Sequence, residues 1–181
     1  MIDAVMHAFL ERQREDAAAL CRDSDLVAIA PHGTRPDRFL VHFSCTGLVQ
    51  APSGAIVEAA GFFVGIAFPP DYLRRVEPFR VVTWLGPSGI WHPNIAPGGL
   101  AICVGHLTPG TSLVDLVYQC WEIVTWNKVT MREDDALNQA ACEWARHHQD
   151  RFPVDRRPLK RQRPRIAARE RSVEDGDAHA Q

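Results

Sequence analysis

The sequence predicts an α+β domain: an opening helix, a four-stranded antiparallel meander, a long loop and C-terminal helices. Three observations carry this expectation. Residues 2–21 place apolar side chains at three- and four-residue steps, the spacing of one helix face. Between 26 and 85, four short apolar or alternating runs are separated by proline and glycine turns, the pattern of strands joined as hairpins. From 90 to 110 the periodicity disappears into a stretch with four glycines and three prolines, before helical spacing returns.

Each element has its own reason. Ile2, Val5, Met6, Phe9, Leu10, Ala17 and Leu20 line one side of the first segment, and Glu11, Arg12, Arg14, Glu15 and Asp16 the other, which makes it amphipathic. Leu26–Ala30 is a short apolar strand, ended by Pro31, Gly33 and Pro36. Residues 38–49 alternate, with Phe39, Val41, Phe43 and Cys45 on one face, and Pro52-Ser53-Gly54 turns the chain. Phe62, Val64, Ile66 and Phe68 alternate again, and Phe79 to Leu85 is a fourth run that Gly86-Pro87-Ser88-Gly89 breaks. Leu113, Leu116, Val117, Cys120 and Val124 form a helical stripe after Thr111 and Ser112, either of which can cap it. Arg132-Glu133-Asp134-Asp135 leads into Leu137, Ala140, Ala141, Trp144, Ala145 and His148, read as a last helix whose acids suit its N-terminus. Trp121 and Trp126 are read as packing residues.

The chain has 181 residues, 46% hydrophobic and 23% charged, enough for one core and too apolar for a disordered or collagen-like protein. No run reaches the roughly 18 apolar residues of a membrane helix, and Met1-Ile2-Asp3-Ala4 lacks the basic-then-apolar pattern of a secretory signal. A cytoplasmic protein without a membrane partner is expected. Five cysteines without close pairs argue against a disulfide framework and leave room for one reactive thiol. Residues 1–150 are read as the catalytic domain and 151–181 as a mobile tail, basic and then acidic. Residues 151–171 hold nine basic and two acidic side chains, and 172–181 three acids. A solvated tail is the preferred reading, with no nucleic-acid partner expected. Only Lys128 and Lys160 are lysines, against 18 arginines. A GC-rich genome explains that, as does a protein that handles an electrophile.

The long loop carries the chemistry. His92-Pro93-Asn94 opens it, Gly98-Gly99 lets the chain reverse, and Cys103 follows nine residues after Asn94. Phe68-Pro69-Pro70-Asp71-Tyr72, then Trp91-His92-Pro93-Asn94-Ile95, then the glycine turn and Ile102-Cys103, resembles the active-site region of ubiquitin-conjugating enzymes. The resemblance covers about 1–150 and is strongest from 62 to 148. It implies the ubiquitin-conjugating-enzyme-like fold, whose element order agrees with the one read above. It also implies partners: a ubiquitin-like protein, an activating enzyme and a target protein with an acceptor amine. In that chemistry Cys103 is the nucleophile that takes the modifier's C-terminus as a thioester. A thiol of pKa ~8.5 then leaves readily when an amine attacks. Asn94 would donate its amide to the oxyanion or order the loop. His92 and Pro93 would be structural, and Asp135 would orient the incoming amine and ease its loss of a proton. The acids can equally cap the helix. Neither cofactor nor metal is implied.

The sequence departs from the family in four places. Leu73-Arg74-Arg75-Val76-Glu77-Pro78 replaces the proline-rich run after the tyrosine, and Gly86-Pro87-Ser88-Gly89 looks inserted. Val104-Gly105-His106-Leu107-Thr108-Pro109-Gly110 is shorter than usual and lacks the family's tryptophan and acid. The spacing from His92 to Cys103 is one residue longer than common. In familiar members the first and third of these regions touch ligases, so the ordinary ligase partner is in doubt. Such divergence, with an arginine-rich composition, is similar to bacterial conjugating enzymes of antiphage-defence systems. Two other classes remain: a binding module of the same fold without transfer activity, and an unrelated cysteine hydrolase with His106 as base to Cys103. Cys103 and His106 alone cannot close a zinc shell.

Overall fold

The structure is a computed structural model that describes residues 3–160. The opening helix, α1 (Ala4–Asp23), begins at Asp3, whose carboxylate accepts the Met6 N–H at 2.8 Å. Its buried face is Met6, Leu10, Gln13, Ala17 and Leu20. Gln13 is the polar exception, and its burial has a cause: its Oε1 accepts the Leu113 N–H at 2.7 Å. That N–H belongs to the first turn of another helix, where no intrahelical carbonyl is available. α1 thus holds the start of its neighbour as well as covering the core.

Four antiparallel strands follow, β1 (Val27–Pro31), β2 (Arg38–Gln50), β3 (Ile56–Ala67) and β4 (Val82–Gly86). A two-residue β5 (Leu100–Ala101) adds a fifth, unforeseen strand, pairing Ala101 with Thr83 and Leu100 with Trp84. Alternation fixes the register: Phe43 faces Phe62 and Val41 faces Val64 across β2 and β3, and all four are buried. Between Phe43 and Thr46 the register slips by a β-bulge. The fourth apolar run does not begin as strand. Pro78 starts a single helical turn, α2 (Pro78–Val81), and β4 takes over at Val82. Proline suits a first helical position because its missing N–H has no partner there in any case.

α3 (Leu113–Val124) crosses the inner face of β2 and β3 and packs on α1. Ser112 caps it, accepting the Asp115 N–H at 3.1 Å. α4 (Gln139–His147) is capped by Asn138, whose Oδ1 accepts the Ala141 N–H at 3.0 Å. The acids before it do not head the helix as expected. Glu133–Asp135 form a separate 3-10 turn, because Asn138 supplies the stronger stop to the helical hydrogen bonds.

The main core joins α1, α3 and the sheet, and a second cluster gathers Leu48, Trp126 and Ala145 with Trp144, Phe152 and Val154 around them. The chain stays packed beyond 150. Leu159 is 2% exposed and joins the main core. Asp155 Oδ2 accepts the Thr46 N–H at 3.0 Å and Arg157 Nη2 donates to Ser44 O at 3.2 Å, so backbone groups at the β2 bulge find their partners in the segment first read as tail. The remainder of that expected tail, 161–181, lies outside the described residues.

Candidate active site

The loop after β4 is built around a tight reversal. Gly99 (φ 76°) and Leu100 (φ 68°) both take the left-handed conformation, so the second glycine and the leucine make the turn. Leucine there is strained by about 1–2 kcal/mol. The Ala96 N–H donates to Ala101 O at 2.9 Å, and Ile95 bridges Ile102 with both side chains buried. The Cys103 N–H then donates to Asn94 O at 2.7 Å. Two buried isoleucines thereby anchor a half-buried Cys103 opposite Asn94.

Asn94 is buried and its amide is fully occupied. Nδ2 donates to Cys103 O at 3.2 Å and to Thr130 Oγ1 at 3.3 Å, and Oδ1 accepts the Thr130 N–H at 3.0 Å. The amide therefore ties the Cys103 loop to the segment after α3. An oxyanion can claim an Nδ2 hydrogen only by displacing one of these acceptors.

His92 is wholly buried, and its Nδ1 accepts the Asn94 N–H at 3.0 Å. Burial pushes its pKa down to about 3, so the ring is a neutral acceptor that shapes the turn. It lies edge-on to Trp126 with centroids 4.5 Å apart. Trp126 itself has φ 63°, a conformation rare for a bulky residue. Stacking on Phe152 at 4.4 Å and packing against Trp144 hold it there. The Pro93 carbonyl accepts both the Leu137 N–H at 2.9 Å and the Asn138 N–H at 3.1 Å, which docks the start of α4 on the triplet.

Asp135 is exposed on the turn before α4, with its Oδ2 3.3 Å from Arg132 Nε. Its neighbour Asp134 is held below the usual carboxylate range by its hydrogen bond to Arg132. The structure brings His92, Pro93, Asn94 and Cys103 into one hydrogen-bonded unit. Asp135 is joined to that unit through the backbone, by way of Leu137 and Asn138.

The other cysteines differ. Cys45 and Cys120 are buried, and burial raises each thiol to about 12. Cys142 is buried with its Sγ 3.4 Å from Thr130 O, and Cys21 is half-buried on α1. His106 is exposed, and among the described residues no hydrogen bond joins it to Cys103. Among the described residues, no cluster of three His, Cys, Asp or Glu side chains is arranged to hold a metal, and no helix is long and apolar enough to cross a membrane.

Comparison with solved structures places this architecture. A ubiquitin-conjugating-enzyme E2 domain of Toxoplasma gondii superposes with a TM-score of 0.51 at 18% identity, over 80% of this chain and 91% of that one. A protein described as a novel ubiquitin-conjugating enzyme superposes with a TM-score of 0.54 at 15% identity, over 83% and 91%. The chain has the ubiquitin-conjugating-enzyme fold. No protein-family profile and no curated protein matches its sequence.

Within this ubiquitin-conjugating-enzyme fold, two residues at the loop escaped sequence reasoning. Thr130 holds both ends of the Asn94 amide. Lys128, whose Nζ donates to Val104 O at 2.6 Å, braces the residue that follows Cys103. Both reach the loop from far along the chain, and neither residue type announces such a role. The scarcity of lysine was the one signal that singled out Lys128.

Proposed function

We propose that the protein is a conjugating enzyme. Cys103 accepts the C-terminal acyl group of a ubiquitin-like protein from an activating enzyme as a thioester, and an amine on a target protein then takes it. The observation that carries this reading is a half-buried Cys103 whose own carbonyl is held by the Asn94 amide, in a fold it has in common with ubiquitin-conjugating enzymes. Asn94 orders the loop before reaction and has an N–H group that a developing oxyanion can recruit. Asp135, exposed on its turn and paired with Arg132 at 3.3 Å, would exchange that cation for an incoming ammonium and ease its deprotonation. No cofactor is required, because the thioester already holds the energy of the transfer. We place the enzyme in a bacterial antiphage-defence conjugation system in the cytoplasm, on the strength of 18 arginines against two lysines and the altered ligase-contacting segments.

The test uses the activating enzyme and ubiquitin-like protein of the same conjugation system, with ATP, and a non-reducing gel. The wild type forms an adduct that thiols remove, and Cys103→Ala forms none. Asp135→Ala loads normally and discharges to free lysine more slowly, by roughly a hundredfold or more. An unchanged adduct in Cys103→Ala would move the nucleophile elsewhere. Absence of any adduct would favour a module that binds the modifier without transferring it.

A further inference from the structure

Both hydrogens of the Asn94 amide are taken: Nδ2 donates to Cys103 O at 3.2 Å and to Thr130 Oγ1 at 3.3 Å. An oxyanion formed on a Cys103 acyl group must displace one of these acceptors, and they are not equally able to yield. Cys103 O belongs to a stretch of backbone pinned on both sides. The Cys103 N–H donates to Asn94 O at 2.7 Å, Val104 is buried, and Val104 O accepts from Lys128 Nζ at 2.6 Å. Turning that carbonyl would drag buried backbone with it. Thr130 is held only through its main chain. Its N–H donates to Asn94 Oδ1 at 3.0 Å, and its carbonyl accepts from Cys142 Sγ at 3.4 Å. The residue is half-buried, and its hydroxyl hangs on a single rotatable bond with three staggered positions.

We propose that Thr130 is a positioning residue whose hydroxyl is the acceptor that yields: it keeps one Asn94 Nδ2 hydrogen occupied between turnovers and releases it to the oxyanion, while Cys103 O keeps the other. This rests on the thioester chemistry proposed above. As the amine nitrogen adds to the thioester carbon, the carbonyl electron pair moves to oxygen, and the charge there draws the Nδ2 hydrogen. Thr130 Oγ1 turns to another staggered position. When the pair returns, the C–S bond breaks, the sulfur leaves as thiolate, and the nitrogen's surplus proton passes to water. The Thr130 N–H stays on Oδ1 throughout, so the amide keeps its orientation. A hydrogen bond to an anion is stronger than one to a neutral hydroxyl, so the exchange favours the transition state. An interaction made before the step and broken during it slows that step. The hydroxyl is therefore a brake that orders the amide at the expense of rate.

The test charges the full chain at Cys103 from a fluorescent peptide thioester ending in glycine and follows discharge to free lysine. Thr130→Val, which keeps the shape and loses the acceptor, raises the maximal discharge rate roughly two- to tenfold, the worth of one ordinary hydrogen bond. The half-saturating lysine concentration does not move. Thr130→Ser, which restores the hydroxyl, brings the rate back. In an Asn94→Ala background, itself slower, Thr130→Val no longer accelerates. A second measurement needs no thioester: in the nitrogen-edited proton spectrum of Thr130→Val, one Asn94 side-chain amide proton moves upfield, and the Cys103 N–H stays protected from exchange. Slower or unchanged discharge in Thr130→Val, acceleration that survives Asn94→Ala, or lost protection at the Cys103 N–H would each overturn the inference while leaving the thioester reading intact. Absence of label on Cys103 in the wild type would overturn both.

Discussion

Proton binding at a single ring makes a prediction at the scale of one residue. His92 titrates near 6.5 in an unfolded chain and at about 3 when folded, because burial disfavours its cation. Between those values the unfolded state binds more protons, so stability falls as the pH falls, by at most about 1.4 kcal/mol per pH unit. Urea unfolding at pH 7, 6 and 5 reads this slope, and His92→Gln flattens it. The carboxylates act in a lower window. Asp155, held down to about 2 chiefly by its hydrogen bond to Arg157, contributes stability above the ordinary carboxylate range and loses it only as the pH falls through that range toward 2. Residues of the candidate site differ in how far the sequence reveals them. His92, Pro93, Asn94 and Cys103 are legible because their chemistry is local: a stiff triplet, a glycine reversal and a thiol. Thr130 and Lys128 are not, because contacts to Asn94 and Val104 across 36 and 24 residues depend on where α3 delivers the chain.

At the scale of elements, β2 passes close under the end of α3. A Cβ built on Gly47 would lie 2.7 Å from the Phe62 ring and 2.8 Å from Val124 O. Both neighbours are packed core, so neither can yield cheaply. Gly47→Ala is expected to cost roughly 1–3 kcal/mol, seen as a lower urea midpoint with an unchanged slope. Alternation and helical spacing made the long elements readable in advance. The short ones were not. β5 has two residues and no pattern of its own, and α2 interrupts an apolar run that reads as strand until Pro78 is weighed. The acids before α4 imitate a helix start, and only the Asn138 cap resolves them.

At the scale of the whole molecule, packing continues past the point at which composition implies it stops. Charge and proline make 151–160 resemble a solvated tail, yet Phe152 stacks on Trp126, Leu159 enters the main core and Asp155 serves the β2 bulge. A few interspersed apolar residues decide this, and a compositional window averages them away. A chain ending at residue 150 is expected to lose several kcal/mol, since burying one Phe or Leu contributes about 1.5–3 kcal/mol and total stability is about 5–15 kcal/mol. Thermal unfolding compares it with a chain ending at residue 160, which keeps these contacts. Equal melting temperatures would show the segment to be dispensable.

The two anchors on the His92–Asn94 triplet have an architectural consequence. Thr130 is fixed by Asn94, and Leu137 and Asn138 are fixed by Pro93, so residues 131–136 are strung between clamps on the same three amino acids. Everything in that span faces outward apart from the half-buried Ala136. A change of length or shape within that span is absorbed between the two clamps, and the backbone around Asn94 stays where it is.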